Sequence, residues 1–176
     1  MNPKVKKIKM IISDVDGVWT DGSFYKGTDG QEFKKFNVHD GVGVAMARAA
    51  GLKIALISGR YSPATEYRAK ELNIEDVYNG GLNKIPAYEE LKNKYNLIDS
   101  EIAYVGDDLI DISVMEKVGA PIAVANAIIN VKEISTYITK TAGGYGAFRE
   151  SVSWIIDQQD RMSDVLKAMK EKILKS

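Results

Sequence analysis

Apolar residues fall along this chain in two alternating patterns. Short uninterrupted runs recur at Met10-Ile11-Ile12, Ile54-Ala55-Leu56-Ile57 and Ile102-Ala103-Tyr104-Val105. Such runs suit strands buried on both faces of a parallel sheet. Between them, apolar positions recur at helical spacing. Asp40 offers an N-cap, Val42, Val44, Ala45, Met46 and Ala49 follow, and Gly51 offers a stop, which predicts a helix. Ser62-Pro63 supplies an N-cap and a first-turn proline for a second helix that runs to about Leu72. A short strand at Asp76-Val77-Tyr78, helices over 85–95 and 110–118, and a strand at Pro121-Ile122-Ala123-Val124 complete the repeat.

Two segments depart from it. Ser23 to Lys26 and Gln31 to Phe36 flank the turn-forming Gly27-Thr28-Asp29-Gly30, and so read as a β-hairpin over 23–36. Beyond Gly146 the chain reads as helical to its end, with Val165, Leu166, Met169 and Ile173 set against Lys167, Lys170 and Lys172. This 146–176 region is expected to be a packing or interface element. Strand, hairpin, then repeated strand–helix units predict an α/β fold, a doubly wound, mostly parallel, Rossmann-like sheet in a single domain over 1–176.

Composition narrows the chemistry. A chain of 176 residues that is 45% hydrophobic can bury the core of one domain. Its 24 basic and 24 acidic residues balance, so no overall positive field points to nucleic acid. The absence of cysteine excludes disulfides and thiolate chemistry, and one histidine excludes a multi-histidine metal site within the chain. Asp14 interrupts the first apolar stretch too early for a signal-peptide core, and the uncharged segment from Val118 to Val131 is short for a bilayer. A soluble, cytoplasmic protein that engages neither membrane nor nucleic acid is the expectation.

The predicted strand ends carry the reactive groups. The three runs lead into Asp14-Val15-Asp16, Ser58-Gly59-Arg60 and Gly106-Asp107-Asp108, and ligands of open α/β sheets bind beyond the carboxyl ends of strands. Carboxylates, a hydroxyl and a guanidinium there suit a divalent cation and a phosphoryl group. An aspartate can attack phosphorus, and a neighbouring carboxyl can protonate the leaving oxygen and later activate water. Taken singly these features have plainer explanations. Asp-x-Asp pairs occur in loops and caps, Ser58-Gly59 could be a turn, Lys84 a solvated helix residue, and Asp107-Asp108 a helix cap. His39 reads as a polar neighbour of the helix start, and Phe24, Tyr25, Phe33 and Phe36 as hairpin packing residues.

In combination, Asp14-Val15-Asp16-Gly17-Val18-Trp19-Thr20-Asp21-Gly22 resembles the first signature of the haloacid dehalogenase superfamily of phosphotransferases. The resemblance implies that Asp14 is the nucleophile and Asp16 the general acid/base. It further implies that Ser58 and Lys84 are the later phosphate-binding hydroxyl and lysine, and that Gly106-Asp107-Asp108-Leu109-Ile110-Asp111 is the acidic cluster. Magnesium would then be held by Asp14, the backbone carbonyl of Asp16 and Asp107, because it prefers hard oxygen ligands and offsets the repulsion between Asp14 and phosphate. Asp108 and Asp111 would orient those ligands.

Neither gap between signatures has room for a cap domain. Over nearly its whole length the chain resembles the capless phosphatases of 3-deoxy-D-manno-octulosonate 8-phosphate (KDO 8-phosphate), through Phe36-Asn37-Val38-His39-Asp40-Gly41, Ser58-Gly59-Arg60, Val114-Met115 and Gly143-Gly144-Tyr145-Gly146-Ala147-Phe148-Arg149-Glu150. That resemblance implies a step toward lipopolysaccharide. It also implies a homotetramer joined through the 23–36 hairpins, each neighbour covering the next active site. Substrate contacts would come from Ser58, Gly59, Lys84 and Arg60, the last through a two-pronged bond to the sugar-acid carboxylate. The alternative for Arg60 is a pair with Glu66 or solvent. Two further functions remain in view: a phosphatase of nine-carbon, sialic-acid-type 9-phosphates, and a receiver-like phosphoacceptor domain, whose acceptor aspartate should stand where this chain has Ser58.

Overall fold

Residues 3–175 are described by the computed structural model; Met1, Asn2 and Ser176 of the expected 1–176 domain lie outside the described residues. The strand β1 (Met10–Ser13) is buried at all four positions, which its uninterrupted apolar run demands. After it come β2 (Tyr25–Lys26) and β3 (Glu32–Phe33), an antiparallel pair in which Tyr25 faces Phe33. Helix α1 (Val38–Ala49), strand β4 (Lys53–Ser58), helix α2 (Pro63–Glu71) and strand β5 (Asp76–Asn79) follow. Next are α3 (Ile85–Tyr95), β6 (Ile102–Gly106), α4 (Leu109–Met115) and β7 (Ala120–Ala123). The chain continues through α5 (Ile129–Glu133), β8 (Tyr137–Ile138), α6 (Ala147–Gln158) and α7 (Met162–Ile173).

The large sheet has six strands in the order β5-β4-β1-β6-β7-β8, and every pairing is parallel. The chain winds outward from β1 through β4 to β5, then returns to β6 on the other side of β1. That reversal places the switch point of the sheet at the end of β1, where a crevice opens. The register puts Ser13 opposite Leu56 of β4 and Val105 of β6, so the residue after Ser13 emerges between the two neighbouring strand ends. The expected doubly wound α/β architecture is the one observed. Among the described residues no helix is long and apolar enough to cross a membrane.

Three local features differ from expectation. The cap of α1 is Asn37, whose side chain accepts from the His39 N–H, and not Asp40. Asp40 lies inside the first turn, fully buried, and one of its oxygens accepts from the Arg149 N–H at 3.1 Å. It therefore serves the N-terminus of α6, whose own cap position is Gly146 and makes no side-chain capping bond. The segment after Gly146 is two helices, broken where Asp160 takes a left-handed φ of 57°. Phe148, Val152, Ile155 and Ile156 of α6 are core residues, whereas α7 buries Val165 and leaves Leu166 and Ile173 exposed. Finally, α5 and β8 have no counterpart in the sequence reading, since five and two residues are too few to show a period.

Asp40 gives the fold a pH dependence. Burial pushes its carboxyl up from the ordinary 3.8 to about 6, and its second oxygen has no hydrogen-bond partner. A carboxyl raised in the folded state contributes stability that is complete below about pH 4 and lost as pH climbs through 6. Asp40→Asn keeps an acceptor for the Arg149 N–H but cannot ionise. Relative to wild type, the variant should gain up to about 3 kcal/mol between pH 4 and 7. Denaturant unfolding at the two pH values checks this, and a difference that ignores pH would remove Asp40 as the titrating group.

Candidate active site

Asp14 is fixed by the sheet itself. Its N–H donates to the Val105 carbonyl at 2.9 Å, which holds the residue against the end of β6. The chain then turns tightly, with the N–H groups of Val18, Trp19 and Thr20 converging on the Val15 carbonyl. Trp19 anchors this turn from below: its indole donates to Ser13 Oγ at 3.0 Å and its ring meets Phe148, centroids 4.4 Å apart. Gly143 braces the turn from outside. A Cβ on Gly143 would lie 1.6 Å from the Gly17 carbonyl oxygen, so only glycine lets the two backbones touch.

Lys84 stands at the N-cap position of α3 with its side chain fully buried. Its ammonium donates to Asp14 Oδ1, to Asp111 Oδ1 at 2.6 Å and to the Tyr104 hydroxyl at 3.1 Å. Three N–H groups thus meet three acceptors. Burial opposes the charge on Lys84, but Asp14 and Asp111 outweigh it and hold the ammonium above its ordinary value. Asp14 is pushed up by burial, a shift that Lys84 counters and Asp111 reinforces.

Asp111 is the hub of the acidic cluster. Its Oδ1 accepts from Lys84 and from the Tyr104 hydroxyl at 2.7 Å, and its Oδ2 from the N–H groups of Asp107 at 2.9 Å and Asp108 at 3.2 Å. Those four bonds fill the acceptor capacity of a carboxylate. The Asp108 side chain points elsewhere and accepts from the Leu109 N–H at 2.7 Å as the cap of α4. Asp107 lies against Gly17, where a Cβ would come 2.0 Å from its Oδ2. Burial, together with Asp14, Asp111 and Asp108, pushes its carboxyl up to about 8.

Carboxylate oxygens of Asp14, Asp107 and Asp111 lie within 4.8 Å of one another. This all-oxygen donor set, short of positive charge, fits a hard divalent cation such as magnesium. With Asp111 saturated, Asp14 and Asp107 are the carboxylates left to hold it.

A second group of charges sits beside the first. Asp16 is paired with Lys34, whose ammonium lies 2.6 Å from Oδ1 and 2.9 Å from Oδ2 and also reaches Thr65 Oγ1 at 3.4 Å. Ser58, at the buried end of β4, donates its hydroxyl to the Arg60 carbonyl at 2.9 Å. Gly59 packs under the Leu82 and Ile110 side chains. Arg60 pairs with Glu32 of the hairpin, and not with Glu66, while Phe24 covers its guanidinium at 4.3 Å. The site therefore draws together Asp14, Lys84, Asp107 and Asp111 in direct contact. Asp16 joins a neighbouring group with Lys34, and the bond to Glu32, with a smaller contribution from the Asp16 charge, raises the affinity of Arg60 for its proton.

Glu32, Lys34 and Tyr104 escaped the sequence reading. Glu32 and Lys34 are two residues apart, hence on one side of an extended segment, and a charged pair alternating with Phe33 was the available signal. Tyr104 sits in a strand buried on both faces, where a hydroxyl must find a partner.

Comparison with known proteins gives a consistent result. Residues 57–147 match the family model of the haloacid dehalogenase-like hydrolases. The chain is 41% identical over 161 residues, 92% of its length and 86% of the relative's, to the 3-deoxy-D-manno-octulosonate 8-phosphate phosphatase KdsC of Escherichia coli K12. It superposes with a TM-score of 0.90 and 36% identity on the corresponding phosphatase of Moraxella catarrhalis, solved with a magnesium ion, a phosphate ion and a KDO molecule; 94% of this chain and 95% of that one are covered. The Yersinia pestis phosphatase gives a TM-score of 0.88 at 39% identity, covering 91% of this chain and 86% of that one.

Proposed function

This chain belongs to the haloacid dehalogenase-like hydrolases, and on that premise we propose that it is a single-domain, magnesium-dependent phosphatase that converts KDO 8-phosphate to KDO and phosphate, a step toward lipopolysaccharide. The observation that carries the reading is the buried Asp14–Lys84–Asp111 chain at the switch point of the sheet, with Asp107 beside it. The magnesium and KDO in the Moraxella catarrhalis structure support the cofactor and the substrate.

In the proposed reaction a carboxylate oxygen of Asp14 attacks phosphorus, the bond from phosphorus to the sugar oxygen breaks, and Asp16 gives that oxygen its proton. An aspartyl-phosphate on Asp14 results. Asp16, now ionised, takes a proton from water; the water oxygen attacks phosphorus, and phosphate leaves as the Asp14 carboxylate is restored. Lys84 holds Asp14 and offers positive charge where the phosphoryl oxygens gather, with the Ser58 hydroxyl turning toward them. Asp14, Asp107 and the Asp16 carbonyl would hold magnesium, which neutralises charge between nucleophile and phosphate. Asp111 fixes both Lys84 and the backbone from which Asp107 projects.

Assembly belongs to the same reading. Phe24, Tyr25 and Phe33 of the hairpin are 48%, 61% and 60% exposed, and an uncovered two-stranded ribbon this rich in aromatics is a liability unless it is paired. Four copies joined through their hairpins, with each neighbour covering the next site, would bury it.

A panel of sugar phosphates, assayed for phosphate release with magnesium and after exhaustive chelation, tests the proposal. KDO 8-phosphate should be the preferred substrate, and chelation should stop turnover. Preference for a nine-carbon 9-phosphate would overturn the substrate, full activity after chelation the metal, and a single stoichiometric phosphorylation without turnover the enzyme. A monomeric mass by light scattering of the active protein would overturn the assembly.

A further inference from the structure

The Arg60 guanidinium, which the sequence resemblance assigns to the sugar-acid carboxylate, already holds a carboxylate, that of Glu32. Arg60 Nη1 donates to Glu32 Oε1 at 2.9 Å and Nη2 to Glu32 Oε2, the parallel two-pronged geometry that a ligand carboxylate would adopt. Ser62 Oγ adds a third bond to Oε1 at 3.0 Å, and the Phe24 ring stacks on the guanidinium. Two carboxylates cannot use the same pair of N–H groups at once.

We propose that Glu32 is a resident carboxylate that fills the Arg60 fork and is exchanged for the carboxylate of the substrate, so that the hairpin sets selectivity among phosphomonoesters. The proposal rests on the sugar-acid reading of the site.

Three observations favour exchange over a permanent strut. The Arg60 side chain is 38% exposed, so a ligand can reach the fork from solvent. A ligand carboxylate that takes the fork remakes the same two-pronged charged bonds, so the exchange replaces the Glu32 pair by a like one. The hairpin also keeps its hold on the site when Glu32 lets go, because Lys34, on the same side of the ribbon, remains paired with Asp16 and bonded to Thr65. Lys34, Ser62 and Arg60 all face Glu32, and the Arg60 bond draws its carboxyl down to about 2, so the resident group is fully ionised whenever substrate is.

Exchange predicts an asymmetric effect of removing the resident charge. Glu32→Gln weakens the competitor without touching the fork. It should lower the KM for KDO 8-phosphate about threefold to fivefold, with kcat held within about twofold, and lower the KM for p-nitrophenyl phosphate, which has no carboxylate, by less. Ser62→Ala, which removes one of the three bonds to Glu32 and leaves the ion pair, should shift the same ratio in the same direction by a smaller factor. It decides the matter alone if Glu32→Gln does not fold. A KM for KDO 8-phosphate that rises or stays constant in these variants overturns the exchange and makes Glu32 a support that aims Arg60. A wild-type protein that hydrolyses p-nitrophenyl phosphate but no sugar-acid phosphate instead overturns the substrate reading, and the exchange with it.

Discussion

Asp14→Asn should abolish turnover while leaving a folded protein. An amide oxygen cannot form the acyl-phosphate, and loss of a covalent nucleophile costs about 10^4-fold or more in kcat. The substitution is close to isosteric at a position only 3% exposed, so no cavity opens. An asparagine oxygen can still accept from Lys84, and the Lys84–Asp111 pair at 2.6 Å is untouched. The cost to stability should stay within about 1–3 kcal/mol, that of weakening one charged hydrogen bond. Phosphate release over many turnovers, read beside a denaturant unfolding curve, separates the two effects. Turnover within tenfold of wild type would move the nucleophile away from Asp14. Inactivity that accompanies an unfolded chain would show a structural role instead.

Much of the architecture was legible because the strands announce themselves. Met10-Ile11-Ile12 and Ile102 to Val105 have no polar face to alternate with, which only burial on both sides of a sheet explains. Helix boundaries were less legible where a competing cap stood nearby. Asn37 and Asp40 are both good caps, and the choice between them falls to tertiary structure: Asp40 is taken by the N-terminus of α6, 109 residues further along the chain. The same limit hid β8, whose two residues form a strand only because β7 offers an edge, pairing Ile122 with Tyr137.

The candidate site was legible in proportion to how directly the sheet places its residues. Asp14, Ser58 and Asp107 each sit within one residue of a strand end, so the strand order alone brings them to one rim. Lys34 and Glu32 reach that rim by another route, the trajectory of a ribbon whose two strands have two residues each. Periodicity carries no information about where such a ribbon folds. The Arg60–Glu32 and Lys34–Asp16 pairs show that it folds back over its own site, which is why Arg60 has a partner in the hairpin.

Lys84→Met should cost both activity and stability, because this one ammonium compensates two buried carboxylates. Its side chain is fully buried, and it links Asp14 with Asp111 while bonding the Tyr104 hydroxyl. Removing one partner of a buried ion pair costs about 3–5 kcal/mol, since the charges left behind have neither solvent nor counter-ion. Here the loss should fall at the lower end, because Asp14, already pushed up by burial, can take a proton and shed its charge. That escape disarms the nucleophile, so the activity loss should exceed the 10^2–10^3-fold expected for a missing electrostatic contact to the transition state, roughly as large as for Asp14→Asn. A divalent cation placed among Asp14 and Asp107 supplies positive charge of its own. Magnesium should therefore raise the unfolding midpoint of Lys84→Met more than that of wild type, without restoring turnover. Urea unfolding with and without magnesium provides the measurement. Wild-type stability in the variant would mean that the Asp14–Lys84–Asp111 chain is not closed in solution, and restored turnover would mean that Lys84 serves only to neutralise charge.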